Sequence, residues 1–271
     1  MEKNFKYYFG KGEYKDVLTC LATTKVNSYK TSSLPLAEFW NPDKQKKNLD
    51  KFIKKLEENG LSIAEGNRFF EYPTPCRDEN GDLPHSKPSM TDLMIINDKF
   101  QVAIEAKYTE YSDSSYQTIK DWEKGESHKT KIKEQWFKYI LDCKATNQDK
   151  IDNTIPYQFL HRTASACYNC YEKIPVLVYQ IFYDKDNKER KDQFIKELES
   201  YAKQLGFTEK ILFYIVEIEI KNIEEVEKKY NGVRSDLFLI MRELKEPIYS
   251  FEWSTIKINK YDSIRKELIK G

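Results

Sequence analysis

The segment Ile174–Tyr183 is almost continuously apolar, broken mainly by Gln180. A strand with this pattern is buried on both faces, as in parallel sheets covered by helices. Its neighbours fit that demand. Thr154 with Pro156 opens a helix expected to run to about Tyr171, and Asp186–Leu205 has amphipathic helical spacing. Ile211–Ile220 is a further apolar strand. A strand–helix–strand order places its two strands in parallel.

Upstream the pattern changes. Leu36, Ala37, Phe39 and Trp40 make a short helical turn that carries Glu38. Asn41-Pro42 then supplies an N-cap followed by Pro at the first helical position. Leu49, Phe52, Ile53 and Leu56 recur at helical spacing until Asn59-Gly60 ends the helix. A strand is expected over Ile63–Tyr72, stopped by Pro73 and Pro75. Thr91–Ile96 and Phe100–Tyr108 form a hairpin around Asn97-Asp98-Lys99. A strand near Phe251–Ile258 and a short final helix are expected, while residues 1 to about 33 resist assignment. The expectation is one α/β domain over 1–271 with a mixed central sheet flanked by helices. Its core spans about 36–220, with a lysine-rich insertion at about 110–150.

The hairpin carries the chemistry. Side chains alternate faces along a strand, so Asp92, Met94 and Ile96 share one face. Ala103, Glu105 and Lys107 share one face of the return strand. Antiparallel pairing sets Asp92 opposite a residue between Ala103 and Glu105, within one coordination sphere of Glu105. Two carboxylates among apolar neighbours need a counter-charge. A hard divalent cation and the Lys107 ammonium would supply it, polarise a phosphodiester and generate hydroxide. Yet an Asp followed by Glu-x-Lys recurs often by chance, and a solvated sheet face could carry the same residues.

A second constellation lies on the helix from Tyr157. Gln158 and Arg162 stand four residues apart, with Ser165 and Asn169 continuing that face. They could hold a phosphate or the attacking water, or simply meet solvent. His161 is read as a packing or surface histidine. Cys167-x-x-Cys170 has no second pair beside it, so core packing explains it better than metal or redox chemistry. Lysines 120, 124, 129, 131 and 133, with Trp122, Trp136 and Phe137, could form a nucleic-acid groove, but interspersed acids suit a solvated helix equally.

Taken together, these residues resemble the PD-(D/E)XK signature of restriction-endonuclease-like proteins, and more narrowly an uncharacterised bacterial family within that superfamily. The matching stretches are Leu36-Ala37-Glu38-Phe39-Trp40, Glu71-Tyr72-Pro73, Ser89-Met90-Thr91-Asp92-Leu93, Ala103-Ile104-Glu105-Ala106-Lys107 and Tyr157 to Ala166. The resemblance implies an αβββαβ core and Mg²⁺-dependent phosphodiester hydrolysis, with Mn²⁺ as a substitute. It implies Asp92, Glu105 and the Ala106 carbonyl as metal ligands, Lys107 as the catalytic lysine, and Gln158 and Arg162 lining the site. Glu38 falls where many members carry a helix-borne acid supporting the metal or water, and Glu71 is a supporting candidate. The usual Pro-Asp pair is Thr91-Asp92 here, with Pro88 four positions upstream.

The expected activity is therefore an endonuclease acting on DNA. The alternative is a catalytically silent nucleic-acid-binding or protein-interaction module on the same fold. With 45 basic against 44 acidic residues the formal charge is +1, so steering of a polyanion must come from a local basic face. Five cysteines at irregular spacing, no secretory leader and no apolar run of membrane length point to free thiols, the cytoplasm and no membrane. Double-strand cutting takes two sites, which would favour a homodimer.

Overall fold

The computed structural model describes residues 6–9, 12–14, 29–83, 86–111, 117–124, 126–143, 153–204, 211–233, 237–252 and 256–258. The strands are β1 (Tyr7–Phe9), β2 (Gly12–Tyr14), β3 (Asn67–Thr74), β4 (Arg77–Asp78), β5 (Gly81–Asp82) and β6 (Ser89–Ile96). They continue with β7 (Phe100–Lys107), β8 (Ile174–Tyr183), β9 (Leu212–Ile220), β10 (Phe251–Glu252) and β11 (Ile256–Ile258). The helices are α1 (Ser33–Phe39), α2 (Pro42–Glu58), α3 (Ile119–Glu123), α4 (Ser127–Asp142) and α5 (Tyr157–Cys167). Three more follow: α6 (Lys188–Gln204), α7 (Ile223–Tyr230) and α8 (Leu237–Glu243).

One sheet runs β10-β9-β8-β7-β6-β3-β1-β2, with β11 also on β9. It is mixed. β3, β6 and β7 form an antiparallel meander, whereas β7, β8 and β9 are parallel. β8 sits between two parallel neighbours, which explains its apolar sequence. Val176, Val178 and Phe182 enter one core layer with α1, α2, α7 and α8. Leu177, Tyr179 and Ile181 enter the other with α4, α5 and α6. The polar Gln180 is fully buried in the first layer, where its Oε1 accepts the Trp40 indole N–H at 3.0 Å. The chain is thus an α/β fold with a mixed central sheet and helices on both faces. Among the described residues no helix is long and apolar enough to cross a membrane.

Several boundaries differ from the sequence expectation. Leu61 and Ile63 fill the core from a loop, and the strand expected from Ile63 starts at Asn67 and runs through Pro73. β1 pairs only with Arg68–Phe70, so beyond Phe70 the outer edge of β3 has no ladder partner among the described residues. A strand tolerates Pro at such an edge. The helix expected to reach Tyr171 stops at Cys167, and Asn169 and Tyr171 follow in left-handed conformation at φ 54° and 47°. Cys170 therefore lies outside the helix, and Cys76, Cys143, Cys167 and Cys170 are free thiols. The Phe251–Ile258 strand appears as two short pieces on β9. The expected closing helix, parts of the lysine-rich segment and most of residues 1–28 lie outside the described residues.

Candidate active site

The β6–β7 ladder pairs Leu93 with Ile104 and Ile96 with Gln101. Continued by one residue, this register sets Asp92 opposite Glu105, yet the ladder stops there. The strands part because the Asp92 carboxylate accepts the Ala106 N–H at 2.8 Å, replacing a backbone partner. Ladder geometry projects a residue's N–H and C=O to the same side, so the Ala106 carbonyl faces this gap too. A matching break occurs on the other flank. β3 pairs Phe70 with Leu93 and Tyr72 with Thr91, but Glu71 and Asp92 between them are not laddered. Glu71 has φ 50°, a left-handed conformation that side chains beyond Gly and Asn rarely adopt. Glu71, Asp92 and Glu105 thus form one row of carboxylates across three strands, where both ladders are interrupted.

Helix α5 covers this row. Its seat on the hairpin is set by Gln101, whose amide donates to the Ala166 carbonyl at 2.9 Å and the Tyr168 carbonyl at 2.7 Å. These are end-of-helix acceptors that lack intrahelical donors. Gln158 Nε2 then donates to Glu105 Oε1 at 3.1 Å. Arg162 Nε lies 2.5 Å from Glu105 Oε2, and Lys107 Nζ lies 3.0 Å from Glu105 Oε1. The Arg162 approach is close but poorly aligned for a hydrogen bond, which leaves Glu105 Oε2 and Arg162 Nε without one. Arg162 Nη1 donates to Ser89 Oγ at 2.8 Å. The same hydroxyl meets His161 Nδ1 at 2.8 Å and Ser165 Oγ at 3.1 Å.

The electrostatics are uneven along the row. Burial alone would raise the Glu105 pKa, but the Arg162 and Lys107 charges outweigh it and hold the group below the usual carboxylate range. Asp92 goes the other way. Burial, and then the Glu105 charge, push it up to about 8 against the partial relief from Arg162 and Lys107. Burial also raises Glu71. Burial would lower Arg162, but Glu105 and Asp92 more than restore its charge. His161 is driven neutral by burial and by the Arg162 and Lys107 charges. The row therefore has two cations for three carboxyls, and the shortfall falls on Asp92. Its second oxygen makes no hydrogen bond to a described residue.

The five residues Asp92, Glu105, Lys107, Gln158 and Arg162 come together as the spacing suggests. Glu38 does not join them. It is fully buried in the opposite core layer, beside Ala37, Phe39 and Trp40. There it accepts the N–H groups of Ile248 at 2.8 Å and Tyr249 at 2.7 Å. The metal-supporting role expected for Glu38 is corrected: α1 packs on the face of the sheet away from Glu105, and its carboxylate clasps the segment leading into β10. Glu71, by contrast, stands in the row itself, and pairing β3 with β6 on paper would have placed it there. Ser89 and Gln101 are small or neutral polar residues in strands, and patterning does not single them out. His161 is the packing histidine of that expectation, half-buried with its ring on Ser89.

The oxygens that face the gap suit a hard divalent ion: Asp92, Glu105 and the Ala106 carbonyl. Among the described residues no group of three or more His, Cys, Asp or Glu side chains is already gathered as a cation cage. Glu105 is instead spanned by Lys107, Gln158 and Arg162, so it would exchange part of that shell to ligate an ion. The under-compensated Asp92 supplies the electrostatic reason for such an exchange.

A family model described as "Domain of unknown function (DUF6946)" matches residues 12–243, and the chain belongs to that family. No curated protein and no solved structure matches the chain.

Proposed function

We propose that this chain is a Mg²⁺-dependent nuclease of the PD-(D/E)XK kind, an endonuclease acting on DNA. The observation that carries the proposal is the interruption of two ladders at one level, where Asp92 and Glu105 stand opposite each other and Lys107 and Arg162 pair with Glu105. The order of α2, the β3–β6–β7 meander, α5 and the parallel β8 supports a restriction-endonuclease-like core. Asp92, Glu105 and the Ala106 carbonyl would hold Mg²⁺ or Mn²⁺, which when bound would polarise the phosphodiester and acidify a water. Lys107 would orient that water or neutralise charge growing on the phosphate. Arg162 presents a guanidinium suited to phosphate oxygens, and Gln158 can hold the water by its amide. Cutting both strands of a duplex takes two such sites, so the proposal includes a homodimer.

The same ion pairs favour one competitor. Glu105 bound by Arg162 and Lys107 is a closed network, as a silent binding or interaction module on this fold would keep. A nicking assay on supercoiled plasmid with Mg²⁺, Mn²⁺ or chelator separates the two. The nuclease nicks only with metal, and Lys107→Ala and Asp92→Asn slow it by about 10²–10⁴-fold while both remain folded. Equal nicking by wild type and both variants, or none by any of them on DNA or RNA, would sink the proposal.

A further inference from the structure

Helix α5 presents two neighbouring stripes. Gln158 and Arg162 face the carboxylate row, whereas Tyr157 and His161 face α3 and α4 and wall a separate pocket of about 310 Å³. That volume is at the lower end for small-ligand sites, about 300–1,000 Å³. The two sites share a wall, because Ser89 lines the pocket and also receives the Arg162 Nη1 bond at 2.8 Å.

The pocket is built from flat rings. Trp122 stacks on Tyr157 with centroids 3.6 Å apart and planes 7° from parallel. Trp136 fixes the Tyr157 hydroxyl through an indole N–H at 2.9 Å, and the His161 ring lies 4.9 Å from Tyr157. The rim is basic. Lys129 sits 5.4 Å over the Trp122 ring, and the exposed Lys87 and half-buried His128 complete it. Glu126 tempers this charge, since it pairs with Lys129 at 2.8 Å and His128 at 3.2 Å. Planar π faces beneath a cationic rim match a nucleobase followed by its phosphates, and every base offers such a face. An uncharged aliphatic ligand would find no use for the basic rim, and an anionic acyl chain would find flat rings where it needs an apolar channel.

We propose that this pocket takes the base of an unpaired nucleotide, laid against the outer side of the Trp122–Tyr157 stack and the His161 ring, with its neighbouring phosphate toward the Ser89 wall that Arg162 backs. The inference rests on the nuclease proposal and narrows its substrate to an unpaired nucleotide, in a single strand or turned out of a duplex, with RNA as an outcome of the test. A base inside a duplex is stacked on its neighbours and cannot enter without being extruded.

The test is fluorescence anisotropy of labelled short strands with the full chain in chelator, where no cutting occurs. The probes are a DNA strand, an RNA strand, the DNA strand with central abasic sites, and a blunt duplex. The intact strand should bind about ten-fold more tightly than the duplex or the abasic strand, and Trp122→Ala should remove that difference. Trp122→Phe should restore most of it, which separates lost stacking from a damaged fold. Lys87→Ala, at an exposed position, should weaken all probes and flatten the salt dependence. The DNA and RNA arms identify which sugar the site accepts. If the abasic strand binds like the intact one, or if Trp122→Ala matches wild type, the pocket is not a base site. Metal-dependent nicking that Lys107→Ala abolishes would then leave the nuclease proposal standing alone. Absence of binding to every probe would remove this inference, whereas nicking tests the other independently.

Discussion

Removing the charge of Asp92 should stabilise the metal-free protein. Its carboxyl is held at about 8, well above the 3.8 of a free aspartate. A folded pKa raised above the unfolded one means stability that is present below about pH 4 and is lost as pH rises through about 8. Each pKa unit corresponds to about 1.4 kcal/mol, so the full penalty at alkaline pH is on the order of 5 kcal/mol. Asp92 keeps part of its surface open to water, which screens the charge, and about 2 kcal/mol is the expected gain for Asp92→Asn. The amide oxygen of Asn can still accept the Ala106 N–H, so the variant deletes charge without deleting the bond. Urea unfolding in chelator at pH 5 and pH 8.5 reads the effect. Asn should exceed wild type by the larger margin at pH 8.5, with a rise in Tm of roughly 5 °C. Saturating Mg²⁺ should then stabilise wild type and leave Asn nearly unchanged. If Asp92→Asn is less stable than wild type in chelator at pH 8.5, the carboxylate is compensated by its neighbours and the uneven charge of the row is mistaken.

Three other substitutions probe separate parts of the architecture. Glu38→Ala strands the Ile248 and Tyr249 N–H groups in the core and should lower stability by about 3 kcal/mol, while calorimetry finds metal affinity unchanged. Glu71→Gly relieves the left-handed backbone and should raise stability by about 1 kcal/mol, but plasmid nicking should fall because the row loses a carboxylate. Gln101→Leu removes the clamp on the end of α5 and should cost about 2 kcal/mol. It should slow nicking without touching the carboxylates, and unfolding curves together with nicking rates check both parts.

Much of this was legible because it is periodic and local. The continuous apolar run of β8 demanded cover on both faces, and α5 and α6 provide it on one of them. The Asn41-Pro42 signal held because the Asn41 side chain accepts the Asp43 N–H at 3.0 Å, a bond made within a few residues. Counting around the Asn97 turn set Asp92 opposite a residue between Ala103 and Glu105, and the turn that fixes Glu105 is tightened by the Asn97 side chain, which accepts N–H groups from Lys99 and Phe100. Glu38 failed for a different reason. Its neighbourhood pattern said helix and buried, but which face of the sheet α1 covers is decided by partners more than 200 positions away. No spacing rule carries that information.

The row of carboxylates shows why local rules also stop short at the site. Alternation correctly puts Asp92 and Glu105 on the α5 face, but it also predicts unbroken ladders through both residues. The structure departs there on both flanks, at the residue with φ 50° and at the Ala106 N–H taken by a side chain. Broken pairing, a strained backbone and an under-compensated carboxyl each disfavour folding, and three such features at one level are a poor arrangement for stability alone. They become consistent if the gap is kept for an occupant that supplies positive charge. Gln101 and Ser89 then have a common purpose: one fixes α5 over the gap, and the other ties Arg162 to the aromatic pocket beside it.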